Sequence, residues 1–206
     1  MKLHHLSLAI ALISCSTSIA AHAQGKNEIR ASVFYPVSLG NNFVKDNYDD
    51  FIGMNICYFR NLSDHFSLSI EYAGSLHGQH ITYTDDAGFV THTDLSTLLI
   101  HDFDAKMLYT CSDSHLINPV FSMAIGYSIL NRQFQEIGSL GRVNQSGINI
   151  NPGFQLNINV SERFRIFPSV SYAYRLLFIA PDPVPGTSYY QNIQALNLGL
   201  GSAVSF

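Results

Sequence analysis

The amino-acid sequence predicts an all-β fold: an eight-stranded antiparallel up-and-down transmembrane β-barrel, built as one domain. Three observations predict it. Apolar and polar residues alternate with period two in eight separate stretches after residue 24, and no helical period of useful length occurs there. Most of these stretches are about 9 to 15 residues long. A tilted membrane-crossing strand needs about 9 to 11 residues, whereas strands of soluble proteins usually have about 5 or 6. The connections alternate between long and short, as they do when a barrel carries loops on one rim and tight turns on the other.

Composition narrows the class further. Charged residues are 13% of 206, roughly half the share of an ordinary soluble domain. The net charge of -4 and the lack of a long basic run exclude nucleic acid as a partner class. Lys2 followed by the apolar run Leu6 to Ile13 and by Ala21-His22-Ala23 has the form of an export signal. Residues 1–23 are therefore expected to be a cleaved signal peptide, with Gln24 as the mature N-terminus and 24–206 as the barrel domain. A competing junction exists, because Leu12-Ile13-Ser14-Cys15 resembles a lipobox in which Cys15 would be lipidated. Cys57 and Cys111 fall on strands not expected to be neighbours, so no disulfide is expected. Stability must then come from another source, and a closed, fully hydrogen-bonded sheet is one.

The expected strands, in order, are Glu28–Val37, Phe51–Arg60, Phe66–Gly74, Leu95–Thr110, Pro119–Leu130, Ser146–Val160, Arg165–Leu176 and Asn192–Phe206. Residues 38–50, 75–94, 131–145 and 177–191 are long, polar and rich in Gly, Asn, Asp and Pro, which makes them loops. Residues 61–65, 111–118 and 161–164 are the short turns. Pro152 and Pro168 fall in strands that should pair. Proline cannot donate to a ladder, so bulges are expected there, or a Pro152 lying above the membrane.

Period two does not by itself say which face is inside, and a soluble lipocalin-like barrel would place the apolar face inward. The stretch "NPGFQLNINV" (151–160) frames the choice. Phe154, Leu156, Ile158 and Val160 share one side, and Asn151, Gln155, Asn157 and Asn159 share the other. The polar positions elsewhere are also small or uncharged: Ser122, Ala124, Gly126 and Ser128, then Asn197, Gly199, Gly201, Ala203 and Ser205. A solvated exterior would carry Lys and Glu, whereas these residues suit a narrow, hydrogen-bonded lumen. The aromatics on the apolar parity fall at two levels. Tyr35, Tyr72, Tyr127, Tyr172 and Tyr174 lie toward the loop rim, and Tyr58, Phe66, Tyr109, Phe121 and Phe206 toward the turn rim. Two aromatic girdles bracketing Val, Ile, Leu and Met are expected of a lipid-facing surface.

With these features the chain resembles the small eight-stranded outer-membrane β-barrels of Gram-negative bacteria, the porin-like group called outer-membrane-protein β-barrel domains, over roughly residues 27–206. The last strand, "LNLGLGSAVSF", carries the resemblance most specifically. It ends on Phe206, with Val204, Ser202 and Leu200 at alternate positions before it. The resemblance implies an outer-membrane location, lipid as the surrounding partner, and Phe206 as a signal read by the barrel-insertion machinery.

Parity places Arg30, Glu71, Asp102, Asp104, Lys106 and Arg175 inside the barrel. Charges in a narrow lumen must be paired, so a mutually neutralising plug is expected, with an ion-conducting path as the alternative. Loop 75–94 holds His77, His80, His92, Asp85 and Asp86, but no ligand spacing supports a metal, and a solvated loop is expected. Small outer-membrane barrels include lipid A deacylases and acyltransferases, and the deacylase-like enzymes carry His-x-Ser on a lipid-facing strand. Here His101 is followed by Phe103 two positions later, and Ser112-Asp113-Ser114-His115 lies on a short turn, so no enzyme and no cofactor is expected. Loops 75–94 and 177–191 are where a surface ligand would bind. The function expected is a structural or surface-interaction role with at most a narrow pore. A small-solute porin and a soluble binder of a hydrophobic ligand are the alternatives.

Overall fold

A computed structural model describes residues 27–40, 42–79, 83–84, 90–91, 97–111, 116–136, 139–178 and 191–206. The expected signal segment, with Cys15 and the Ala23–Gln24 junction, lies outside the described residues. The elements are β1 (Asn27–Leu39), α1 (Phe43–Asn47), β2 (Tyr48–Asn61), β3 (Phe66–Gln79), β4 (Tyr83–Thr84), β5 (Val90–Thr91), β6 (Thr97–Thr110), β7 (Ile117–Glu136), β8 (Ser139–Asn159), β9 (Phe164–Leu177) and β10 (Asn192–Ser205). Eight of the strands close a barrel in the order β1-β10-β9-β8-β7-β6-β3-β2, and β4 pairs with β5 in a separate two-stranded sheet. Every barrel pairing is antiparallel. No helix among the described residues is long and apolar enough to cross a membrane, which says nothing about crossing by strands.

Closure joins the two ends of the chain. Ile29 pairs Val204 and Arg30 pairs Ala203 on β10. Below them Phe206 N–H donates to Asn27 O at 2.9 Å and Asn27 N–H to Phe206 O at 3.3 Å. The partners Ile29, Tyr58, Ile70, Ala105, Ile125, Ile150, Tyr174 and Gln194 lead once round the barrel and return to β1 at Leu39, ten residues beyond the start. That stagger over eight strands tilts them by roughly 40° from the barrel axis and makes a narrow tube that side chains fill.

The alternation in sequence becomes an inside and an outside. Ile70 is 72% exposed, and Ile56, Leu68, Phe103, Met107, Met123, Ile125, Leu198 and Leu200 are exposed on the same outer face. The inward neighbours Glu71, Asp102, Asp104, Ser128, Asn149 and Asn197 are buried. An apolar exterior around a charged interior is the inverse of a soluble barrel, and lipid is the medium that such an exterior fits.

Three expectations change. Residues 131–145 are not a loop: β7 and β8 stay paired out to Glu136 and Ser139. Outside the apolar band neither face has to be greasy, so the hydrophobic alternation that marks the rest of these strands disappears while the ladder continues. The first loop contains α1, capped by Asn42, whose Oδ1 accepts from the N–H groups of Val44 and Lys45 at 3.1 Å each. The prolines cause no register shift. The β8–β9 ladder drops its partners between Ile150 and Gly153 and between Gln155 and Ile158, and resumes in the same register each time. Pro152 still faces Met123 of β7, and Pro168 faces Leu200 of β10. Missing donors thus open one seam locally, and the other seam holds the parity. Among the described residues, the one register shift in the barrel lies instead between Asp50 and Ile52 in β2.

Two turns share one chemical pattern, Asn-Leu-Ser-Asp-His-Phe (61–66) and Asn-Val-Ser-Glu-Arg-Phe (159–164). In the first, Leu62 and Ser63 N–H donate to Phe66 O, and Phe66 N–H donates back to Ser63 Oγ at 3.1 Å. In the second, Val160 and Ser161 N–H donate to Phe164 O, and Phe164 N–H donates to Ser161 Oγ at 3.1 Å. The serine hydroxyl satisfies the amide that would otherwise begin the returning strand unpaired. Ser63→Ala and Ser161→Ala are each expected to destabilise the barrel by about 1 kcal/mol, the net worth of one hydrogen bond. The two losses should add, because the turns are remote from each other. Urea unfolding in lipid vesicles, read by the mobility of folded and unfolded bands, measures both.

Candidate functional site

The lumen holds the densest chemistry of the molecule, and it is layered. At the loop end Phe43 and Val44 of α1 pack with Tyr48, Leu98, Ile100, Leu130, Leu177 and Ile193. The short helix is therefore an apolar stopper seated in the barrel mouth. At the turn end Cys57, Phe59, Leu108 and Val120 form a second apolar cluster. The expected lumen of amides and small residues is thus only its middle. The inward Leu98 and Ile100 flank Leu99 in an unbroken apolar run, which masks their facing in the sequence.

Ion pairs occupy the space between. Arg175 of β9 reaches past β8 and β7 to Asp102 of β6. Its Nη2 donates to Oδ2 at 2.6 Å and its Nε to Oδ1 at 3.0 Å, a two-pronged contact. Ser128 donates to Asp102 Oδ1 at 2.5 Å, and Asn149 donates to Ser128 at 3.2 Å. Lys106 pairs Glu71 of the adjacent strand at 2.7 Å. Arg30 pairs Glu28 two residues before it and lies 4.6 Å from the Phe59 ring centroid and 5.6 Å from that of Phe167. Glu28 also receives Arg165 at 3.0 Å and Ser205 at 3.3 Å. This last cluster ties β1, β9 and β10 together across the closing seam.

Of the six inward charges named from the sequence, four form two direct pairs and Arg30 finds Glu28. Asp104 is buried, and neither of its carboxylate oxygens has a hydrogen-bond partner among the described residues. Glu28 and Arg165 escaped sequence reading. Glu28 shares the parity of Arg30, and Arg165 shares that of Arg175, so the same alternation carried to the strand ends would have found them. With these two, four acids (Glu28, Glu71, Asp102, Asp104) face four bases (Arg30, Lys106, Arg165, Arg175), and the formal charges cancel.

His77 is not in a solvated loop. β3 runs on to Gln79, and the ring is 1% exposed. Its Nδ1 lies 3.1 Å from Asp50 Oδ1 and its Nε2 lies 3.0 Å from Ser75 Oγ. Asp50 is further held by the amide and hydroxyl of Ser38, both at 2.6 Å. The order Ser-His-Asp is that of a nucleophile relay, but the Ser75 and His77 side chains are enclosed and the carboxylate is shared with Ser38. Here the relay works as a clasp, tying β1 and β2 to β3 at the rim where α1 enters. His80, Asp85, Asp86, His92 and the Ser112–His115 cluster lie outside the described residues, as does most of 177–191. No group of three or more metal-ligating side chains occurs among the described residues.

All ten aromatic residues named from the sequence are on the outer face. Tyr58, Phe66, Tyr109 and Phe121 are exposed near the turn rim, with Phe66 and Tyr109 rings 5.0 Å apart and Tyr58 beside Phe206 at 6.4 Å. Toward the loop rim Tyr35 and Tyr127 are exposed, while Tyr72, Tyr172 and Tyr174 are half-buried. Tyr172 donates to Gln194 at 2.8 Å, Tyr174 to Asn192 at 3.0 Å, and Tyr72 meets His101 at 2.8 Å.

Arg175→Met is expected to destabilise the barrel by about 3–5 kcal/mol, because it strands the Asp102 carboxylate in the lumen. Adding Asp102→Asn should return most of that loss. Denaturant midpoints of the single and double variants test the coupling, and simple additivity of the two changes would show that the pair does not act as a unit.

No protein-family model matches the chain, and no curated protein matches it in sequence. Its fold does match solved structures. Neisserial surface protein A (NspA) superposes with a TM-score of 0.61 at 9% identity, over 89% of this chain and all (100%) of that one. Ail, the attachment invasion locus protein of Yersinia pestis, solved with the heparin analogue sucrose octasulfate, superposes with a TM-score of 0.53 at 13% identity, over 88% of this chain and 100% of that one. At these identities the likeness is one of architecture, and the architecture is that of the small eight-stranded outer-membrane β-barrels.

Proposed function

We propose that the protein is an integral outer-membrane barrel with a structural or surface-interaction role, and that its lumen is sealed to bulk ion flow. The observation that carries this is the filling of the lumen. Between the two apolar clusters, among the described residues, a cavity of about 40 Å³ lies beside the ion pairs, lined by Arg30, Glu71, Asp102, Lys106, Asn151 and Asn197 among others. That is room for a few water molecules and not for a continuous column. The four acids and four bases balance in formal charge, which leaves no net charge in this layer to select an ion. The aromatic residues at the two rims act as interfacial anchors, Phe206 acts as the recognition end for insertion, and interaction with partners falls to the loop rim, including 75–94 and 177–191. Residues 1–23 supply export.

Two measurements test this. Unboiled and boiled samples of washed outer membranes should run as two bands on a denaturing gel, because a closed hydrogen-bonded barrel survives detergent until heated. A soluble periplasmic protein without a band shift would refute the membrane assignment. In planar bilayers the purified barrel should give no large stable conductance. Large steady openings that change on neutralising Glu71 or Arg175 would replace the sealed barrel with a solute channel.

A further inference from the structure

The lumen cavity and the proline seam lie against each other. The cavity of about 40 Å³ is lined by Asn151 and Gln155 of β8 and by Ser169 and Ser171 of β9, together with residues of other strands. The same stretches bound the two lapses of the β8–β9 ladder, one between Ile150 and Gly153 and one between Gln155 and Ile158. Pro152 lies in the first lapse, and the register places Pro168 opposite the second.

Each proline withholds one N–H from this seam. A carbonyl without a ladder donor inside a lipid layer must be met from elsewhere, and hydrocarbon offers nothing. On the outer parity the local side chains are Pro152, Phe154, Pro168 and Val170, all apolar. The inner side is different. Asn151, Ser169 and Ser171 point inward with Ser122 of β7, yet all four are half-buried rather than buried. An inward side chain in a filled barrel keeps accessible surface only toward a cavity. Two further residues of the cavity wall, Arg30 and Asn197, are 4% and 7% exposed. Arg30 Nη1, Asn151 Oδ1 and Asn197 Oδ1 have no hydrogen-bond partner among the described residues.

Chemistry selects the occupant. Cavities that stay empty are apolar, whereas a polar one of sufficient size is hydrated. Here the wall offers a guanidinium donor, amide oxygens and serine hydroxyls. A cation would face Arg30 and Lys106, and an anion would face the Glu71 and Asp102 carboxylates on the same wall. Water both donates and accepts, and it serves an amide whichever way the amide is turned. The volume holds roughly three water molecules.

We propose that this chamber is a binding site for a small fixed cluster of water, which meets the backbone from the lumen side where Pro152 and Pro168 interrupt the ladder. The barrel thus carries its own solvent at the seam that its prolines open. The site rests on the sealed membrane barrel proposed above, and the test separates the two.

Water-to-amide cross-relaxation is measured by NMR on the whole barrel in nanodiscs of chain-deuterated lipid. Amides of Asn151 and of Ser169 to Ala173 are expected to show water cross-peaks whose laboratory-frame and rotating-frame rates have opposite signs, the mark of a held molecule. Amides of the intact β3–β6 ladder, such as Ile70 and Phe103, should show none. Pro152→Ala and Pro168→Ala each restore one N–H, and each should remove the cross-peaks along its own lapse. Their absence in wild type, or their persistence in both variants, overturns the proposal. Crystals soaked in bromide should show no anomalous peak in the chamber, and a peak there would replace water with an anion. Boiled and unboiled gel mobilities report whether each variant is a folded barrel. Rates of the same sign together with large bilayer conductance would mean free water in an open bore, which defeats the sealed lumen and the cluster alike. A normal band shift and silent bilayers without seam cross-peaks would defeat the cluster alone.

Discussion

A strand inside a lipid layer has no water to satisfy its free N–H and C=O groups, and most of the structure follows from that constraint. Each edge must find another edge, so the sheet closes and the first strand must pair the last. In this chain β1 and β10 meet in an unbroken ladder down to the paired Asn27 and Phe206. The Glu28, Arg165 and Ser205 cluster reinforces that seam from inside, where the two ends of the chain come together. The same constraint explains why two prolines in facing strands are tolerated. Both fall on the β8–β9 seam, and each keeps an intact ladder on its other side.

Closure with eight strands and a ten-residue stagger fixes the bore, and the bore decides the chemistry of the lumen. A tube this narrow is filled by side chains. Apolar clusters close its two ends, and the middle carries four acids and four bases that cancel. Three of those acids find partners within hydrogen-bond distance, so the middle layer is held by fixed pairs. The lumen then resembles a cross-braced core more than a conduit. The stopper helix, capped by Asn42 and positioned beside the Ser38, Asp50, His77 and Ser75 clasp, belongs to the same bracing.

The exterior carries the complementary message. Its apolar belt demands lipid, and toward the loop rim its tyrosines find polar partners, Tyr72 at His101, Tyr172 at Gln194 and Tyr174 at Asn192. An aromatic ring with a polar tip suits the headgroup level, where such contacts are met without interrupting the ladder.

The alternation of residues carried by itself the strand number and the facing of those strand positions where it is unbroken, and with them the apolar outer surface and the inward set of Arg30, Glu71, Asp102, Asp104, Lys106 and Arg175. This was legible because period two is a local property that every strand repeats. What tertiary structure alone decided is which inward residues meet. Arg175 reaches Asp102 across two intervening strands, Glu28 chooses both Arg30 and Arg165, and His77 is drawn from an apparent loop into the clasp. Those pairings depend on stagger and bore, which no single strand encodes. The extension of β7 and β8 beyond residues 131–145 was hidden for a related reason: above the membrane the ladder persists, but the solvent no longer imposes the hydrophobic pattern that reveals it.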